Sequence, residues 1–251
     1  MRRVLWPAVL LLPLLCSDRG YAQLAHVSPG CSVTGHGSSA SATSFTFSCT
    51  PNAANDAVVF KVSCAASSTP GSISISATGW TITSLSGVSG STTAGIAGSF
   101  GAIAPGTSPT TFTASFGTGA ICNSYYDYAV DEFSGNDATG GTTTFDAHNE
   151  ATGSGSCSVN VTPANSSDAI WGACEDTTTA IGSGYTKGQD DGGGDWTEYK
   201  ILSGGSGVAQ TVNFTGSGAY VALGVSIKPA GGAATAPAGV NKRQKIEELL
   251  F

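Results

Sequence analysis

Residues 187–198 read Lys-Gly-Gln-Asp-Asp-Gly-Gly-Gly-Asp-Trp-Thr-Glu, the densest run of chemically useful groups in the chain. Asp190, Asp191 and Asp195 supply hard carboxylate oxygens, and Gly192, Gly193 and Gly194 let the backbone curl around an ion. Calcium collects carboxylates, carbonyls and waters, so it is the cation that such a loop suits. The spacing is not that of an EF-hand. The competing reading is a solvated acidic loop. Trp196 lies in the same run, with Tyr185, Tyr199 and Glu198 close in sequence. Aromatic rings stack on the C–H faces of sugars while a carboxylate meets hydroxyls, so these four are the candidate ligand-binding set. The alternative is that the rings plug one end of the core.

Other constellations are weaker. Asp146, His148 and Glu150 alternate, which on a strand turns all three to one face and suits a metal or acid–base pair. Asp131 and Glu132 are adjacent, so on a strand they point to opposite faces and do not confront one substrate together. No nucleophile elbow, phosphate loop or dinucleotide fingerprint stands between a strand and a helix. No catalytic residue is therefore assigned. His26 and His36 lie in a Ser/Gly-rich region without an acidic neighbour. Trp171 and Trp80 are expected in the core. Asn160, Asn165 and Asn213 each open a glycosylation triplet.

The elements that hold these groups are strands. Residues 43–49, 72–76, 80–83, 111–116, 125–133, 142–148, 156–161, 169–174, 208–214 and 220–227 alternate or are rich in β-branched and aromatic side chains. In residues 58–64, Val58, Phe60 and Val62 share one face, and Val59 and Lys61 share the other. Gly, Pro, Asn and Ser clusters separate these runs. No helix is expected before residue 240. Many short strands at regular spacing indicate an all-β, two-sheet antiparallel sandwich.

Composition agrees. The 251 residues include 35 Gly, are 40% hydrophobic and only 11% charged, and carry a net charge of −7. Disorder, coiled coils and helical bundles are excluded by such numbers, and nucleic acid is a poor partner for an acidic chain. Residues 1–22 have a basic start, an apolar stretch and a small residue before the expected cut, the layout of a secretory signal peptide. That stretch is too short to span a bilayer, and no other segment is long and apolar enough. Cys16 leaves with the leader. The remaining Cys31, Cys49, Cys64, Cys122, Cys157 and Cys174 are an even set, which in an exported chain reads as three disulfides. Cys157 and Cys174 flank a turn-like segment and form the preferred pair. Cys64–Cys122 and Cys31–Cys49 follow as weaker guesses. The domain is expected over residues 23–229, a flexible linker over 230–239 and a separate basic tail over 240–251. In the tail Ile246, Leu249 and Leu250 have amphipathic helical spacing. So short a helix is marginal alone, and the tail reads either as a frayed terminus or as a segment for self-association.

The strings Asp56-Ala-Val-Val-Phe-Lys-Val, Tyr128-Ala-Val-Asp-Glu-Phe-Ser-Gly, Ser167-Asp-Ala-Ile-Trp-Gly and Gly182-Ser-Gly-Tyr-Thr recur in order, followed by Glu198-Tyr-Lys and Val225-Ser-Ile-Lys-Pro-Ala. In this the chain resembles uncharacterised secreted bacterial β-sandwich modules of jelly-roll, concanavalin-A-like type found in surface and exported proteins. The resemblance implies a jelly-roll fold and an extracellular binding or structural role, and it implies no catalytic residues. The six Cys depart from the usual Cys-poor version. The expectation is a secreted, non-enzymatic β-sandwich for extracellular interaction, most concretely with a glycan or cell-surface ligand. The alternatives are a structural subunit of an extracellular assembly and a polysaccharide-active enzyme.

Overall fold

The computed structural model describes residues 23–37, 42–65, 72–86, 89–91, 95–117 and 125–231. The first half contains β1 (Ala25–Val27), β2 (Val33–Gly37), β3 (Ser44–Cys49), β4 (Ala57–Ala65), β5 (Ile73–Ser76), β6 (Ile82–Ser84), β7 (Ser89–Ser91), β8 (Gly95–Ile103), β9 (Thr110–Phe116) and β10 (Tyr125–Ser134). A single helical turn, α1 (Gly141–Thr144), opens the second half. It is followed by β11 (Ala147–Ser154), β12 (Cys157–Val161), β13 (Ala169–Glu175), β14 (Thr178–Ala180), β15 (Thr186–Asp190), β16 (Trp196–Ile201), β17 (Gln210–Gly216) and β18 (Ala219–Ile227).

All strand pairs among the described residues are antiparallel, and the fold is a β-sandwich. Two large sheets face each other. One has seven strands along the path β1-β10-β4-β8-β6, and the other has five, β11-β18-β13-β16-β15. Each carries a three-stranded sheet on its outer side, β3-β9-β5 on the first and β12-β17-β14 on the second. Three apolar clusters fill the gaps between these four layers. Phe45, Phe47 and Phe112 of the first outer sheet pack on Val58, Phe60 and Val62 of β4. Ala57, Val59 and Phe133 meet Trp171, Leu223 and Val225 across the central seam. Ile170, Cys174 and Ala222 meet Val159, Val161, Val212 and Phe214 of the second outer sheet.

The central strands are thus covered on both faces, and their sequences show it. A strand buried on both sides loses alternation and becomes a continuous small or apolar run. This is why β8, Gly-Ile-Ala-Gly-Ser-Phe-Gly-Ala-Ile, is absent from the strands expected above. At Gly101 a Cβ would collide with the Phe145 ring. Phe145 itself comes from the turn that corrects two expectations. There is a helix before residue 240, and the strand expected over 142–148 begins only at Ala147. Thr144 Oγ1 donates to the Asp137 carbonyl at 2.6 Å and accepts from Gly140 N–H at 2.9 Å. That local closure turns the chain and seats Phe145, fully buried, in the seam.

Cys31–Cys49 and Cys157–Cys174 are disulfides, as expected. The second is not the hairpin neighbour that the turn suggested. β12 pairs with β17 and β13 with β16 and β18, so the bond crosses from the outer sheet to the large one. Cys64 is disulfide-bonded, and its expected pairing with Cys122 lies outside the described residues. So do the leader over 1–22, most of the linker and the tail over 240–251 with its self-association reading. Disulfides fit an oxidising environment. No helix among the described residues is long and apolar enough to cross a membrane. Trp171 is fully buried as expected, and Trp80 is partly buried against the first cluster.

Candidate functional site

The central seam is apolar at one end and ionised at the other. Along β4, Ala57 and Val59 face it first, and two residues further on Lys61 follows with its side chain wholly buried. Its ammonium nitrogen lies 2.8 Å from Asp127 Oδ1 of β10, 2.7 Å from Glu175 Oε2 at the end of β13, and 3.3 Å from Asp195 Oδ1 ahead of β16. One cation thereby joins both large sheets and the 191–195 turn. Burial works against the charged amine, but Asp127, Asp195 and Glu175 overcome it and hold Lys61 well above the usual lysine range. Burial, with Asp127 and Asp195 alongside, pushes the Glu175 carboxyl well up. Burial likewise pushes Asp195 up to about 7, against the pull of Lys61.

Asp191 completes the group. Single carboxylate oxygens of Asp127, Asp191 and Asp195 lie within 4.8 Å of one another. Asp191 Oδ1 accepts from the Gly193 and Asp195 N–H groups at 2.7 and 3.1 Å. Its Oδ2 is buried without a hydrogen-bond partner. His36 of β2 covers the rim, its Nδ1 2.9 Å from the Asp191 carbonyl and 3.8 Å from Oδ2. Of the three acids expected to form a metal site, the structure brings Asp191 and Asp195 together and adds Asp127. Asp190 stands apart: its side chain is 40% exposed and pairs with Lys187 at 2.6 Å. The 187–198 run is largely a hairpin of β15 and β16, with only residues 191–195 as its loop.

Beside the lysine cluster lies Asp131, also fully buried. Its Oδ1 accepts from His26 Nε2 at 2.7 Å and Gln189 Nε2 at 3.1 Å, and its Oδ2 from Trp171 Nε1 and Thr197 Oγ1, each at 2.7 Å. Burial opposes its ionisation, yet the hydrogen bond and charge of His26 and the other donors bring its carboxyl below the usual range. Glu132 does point the other way, as adjacency on a strand requires, and accepts from the Cys31 and Asn52 N–H groups at 2.6 and 2.8 Å.

The candidate aromatic set divides between two faces of the hairpin. Tyr185 and Trp196 pack against the outer cluster. The Lys187 ammonium sits 3.3 Å from the Trp196 ring centre, and that of Lys200 lies 5.7 Å from Tyr185. Tyr199 faces the seam and stacks on His26 at 4.3 Å. Glu198 shares the face of Trp196 but is fully buried, accepting from Gly182 N–H at 2.6 Å and Asn213 N–H at 3.0 Å. Burial pushes it up to about 7. It holds backbone and is not presented to a ligand. Asp146 and His148 line one shallow depression with Asn149, Asn160 and Thr162. Burial, then the neighbouring Asp168, pushes Asp146 up to about 6.

Sequence reasoning missed Lys61, Asp127 and Glu175. The available signal was a charge inside a run otherwise apolar on both faces, Val-Val-Phe-Lys-Val. Such a charge must be paired. No family model, curated protein or solved structure matches this chain.

Proposed function

We propose that the chain is a secreted, non-enzymatic β-sandwich for extracellular contact, and that it meets a glycan through the outward face of the β15–β16 hairpin. The observation that carries this reading is the half-exposed array on that edge. Trp196 and Tyr185 share one face with Lys187 and Lys200, and the Lys187–Asp190 pair sits at the rim. β15 is the edge strand of its sheet, so the array is open on one side. A ring beside fixed cations and carboxylates offers a sugar both C–H stacking and hydroxyl partners. Four of the acids speak for binding rather than turnover. Asp131, Glu132, Asp168 and Glu198 are fully buried and engaged by backbone or side-chain donors. The resemblance to exported surface modules points the same way.

A glycan array with the wild-type chain and Trp196→Ala tests the reading. The expected result is binding to a defined set of glycans that Trp196→Ala weakens by about tenfold or more. Absence of wild-type binding to every glycan, or binding unchanged in a folded Trp196→Ala protein, overturns it.

A further inference from the structure

We infer that the carboxylates of Asp127, Asp191 and Asp195 form a binding site for a divalent cation of the hard, oxygen-seeking class, calcium, that clamps the 191–195 turn to the facing sheet. This goes beyond the glycan reading and does not depend on it.

Three observations lead there. The first is spacing. Two oxygens on opposite sides of a calcium ion at about 2.4 Å each are about 4.8 Å apart. The three carboxylates fall within that 4.8 Å span. The second is an orphan. Asp191 has a side chain only 1% exposed, and while Oδ1 is satisfied by two backbone N–H groups, Oδ2 is buried with no hydrogen-bond partner, its one ion-pair contact among the described residues being His36 Nδ1 at 3.8 Å on the rim. A buried carboxylate oxygen without a donor is costly, and a cation is what it lacks. The third is charge. Four acids, Asp127, Glu175, Asp191 and Asp195, surround the single cation Lys61. Lys61 touches Asp127, Glu175 and Asp195, and no ion pair joins it to Asp191 among the described residues. One ammonium leaves a surplus that a divalent ion at the Asp191 side offsets. Waters complete the shell, as they commonly do around calcium.

The ligands come from different layers. Asp127 belongs to β10 of the seven-stranded sheet, and Asp191 and Asp195 to the turn of the hairpin in the five-stranded one. Binding would add to the ties these two elements already have through Lys61, through the His36 contact to the Asp191 carbonyl and through the Gln189 and Thr197 hydrogen bonds to Asp131.

The test uses the full chain stripped with EDTA and then titrated with calcium or magnesium by calorimetry, with melting curves in parallel and no glycan present. The expected result is calcium binding at millimolar concentration or tighter and a melting point that rises with calcium, because a ligand of the native state stabilises it by mass action. Asp191→Asn keeps the Oδ1 acceptor for Gly193 and Asp195 and is expected to weaken calcium binding about tenfold or more. Asp190→Asn, outside the cluster, is expected to bind as the wild type does. No heat and no melting shift in the wild type overturns the inference. So does an Asp191→Asn protein that responds like the wild type, or an Asp190→Asn protein that loses the response equally.

Discussion

Asp131 shows how much one buried carboxylate can organise. Four donors from β1, β13, β15 and β16 converge on its two oxygens. Replacing it by Ala leaves the Trp171 indole N–H and the Thr197 hydroxyl buried without their acceptor, and each such loss costs about 1–3 kcal/mol. Asp131→Ala is therefore expected to lower unfolding stability by about 4 kcal/mol. Asp190 is the matched contrast. Its pair with Lys187 is exposed on both sides, so Asp190→Ala should change stability by no more than about 0.5 kcal/mol. Urea melts of both variants check this, and equal effects would show that burial is not what gives Asp131 its weight.

Among the elements, glycine in a strand marks where one layer leans on the next. Gly172 of β13 and Gly224 of β18 stand opposite each other in register. A Cβ on Gly172 would run into the Val212 side chain, and one on Gly224 into Val161, both from the outer sheet. The pair is what lets that sheet sit close enough to build the third cluster. Gly172→Ala is expected to force the layers apart and cost about 1–3 kcal/mol. Gly106, where an added Cβ meets nothing within 4 Å, is the control, and Gly106→Ala should be silent. A Gly172→Ala protein as stable as the wild type in thermal melts would show that the outer sheet yields freely.

Across the molecule, the excess of acid sets a pH response. Burial pushes Asp56 up to about 7, with Glu132 adding to it, Asp146 up to about 6 and Glu198 up to about 7. These groups hold their protons in the native state over a range where the unfolded chain releases them. Their contribution is present below the ordinary carboxylate range and is lost as pH rises through 6 and 7. Asp131 and Asp137 are depressed and work oppositely, but only below the ordinary range, where their contribution is lost as pH falls. Urea midpoints in EDTA should therefore decline from pH 5 to pH 8. A midpoint that rises across that interval would refute the assignment of these three carboxyls.

Alternation and turn residues were enough to determine an all-β chain and most of its strands, because period two and turn chemistry are local properties of the backbone; the Cys31–Cys49 and Cys157–Cys174 pairings were chosen correctly, but the hairpin that suggested the second is not formed. The same local rule failed at β8, which is covered on both faces, although β4 and β13, equally covered, were legible as apolar runs. β8 lost its alternation and the strand starting at Ala147 was placed too early, since a one-residue shift or a single helical turn leaves composition unchanged. The acidic run was legible as a candidate cation loop, and Asp191 and Asp195 do converge in space. That Asp127 joins them, that Asp190 does not and that Lys61 sits among the acids were decided only by tertiary structure, whereas Tyr199 turning away from Trp196 follows from their odd spacing on β16. Those facts depend on which strands from distant parts of the chain lie side by side and which face each turns to the seam. Residues 64 positions apart meet there because two sheets stack, and no spacing along the sequence encodes that stacking.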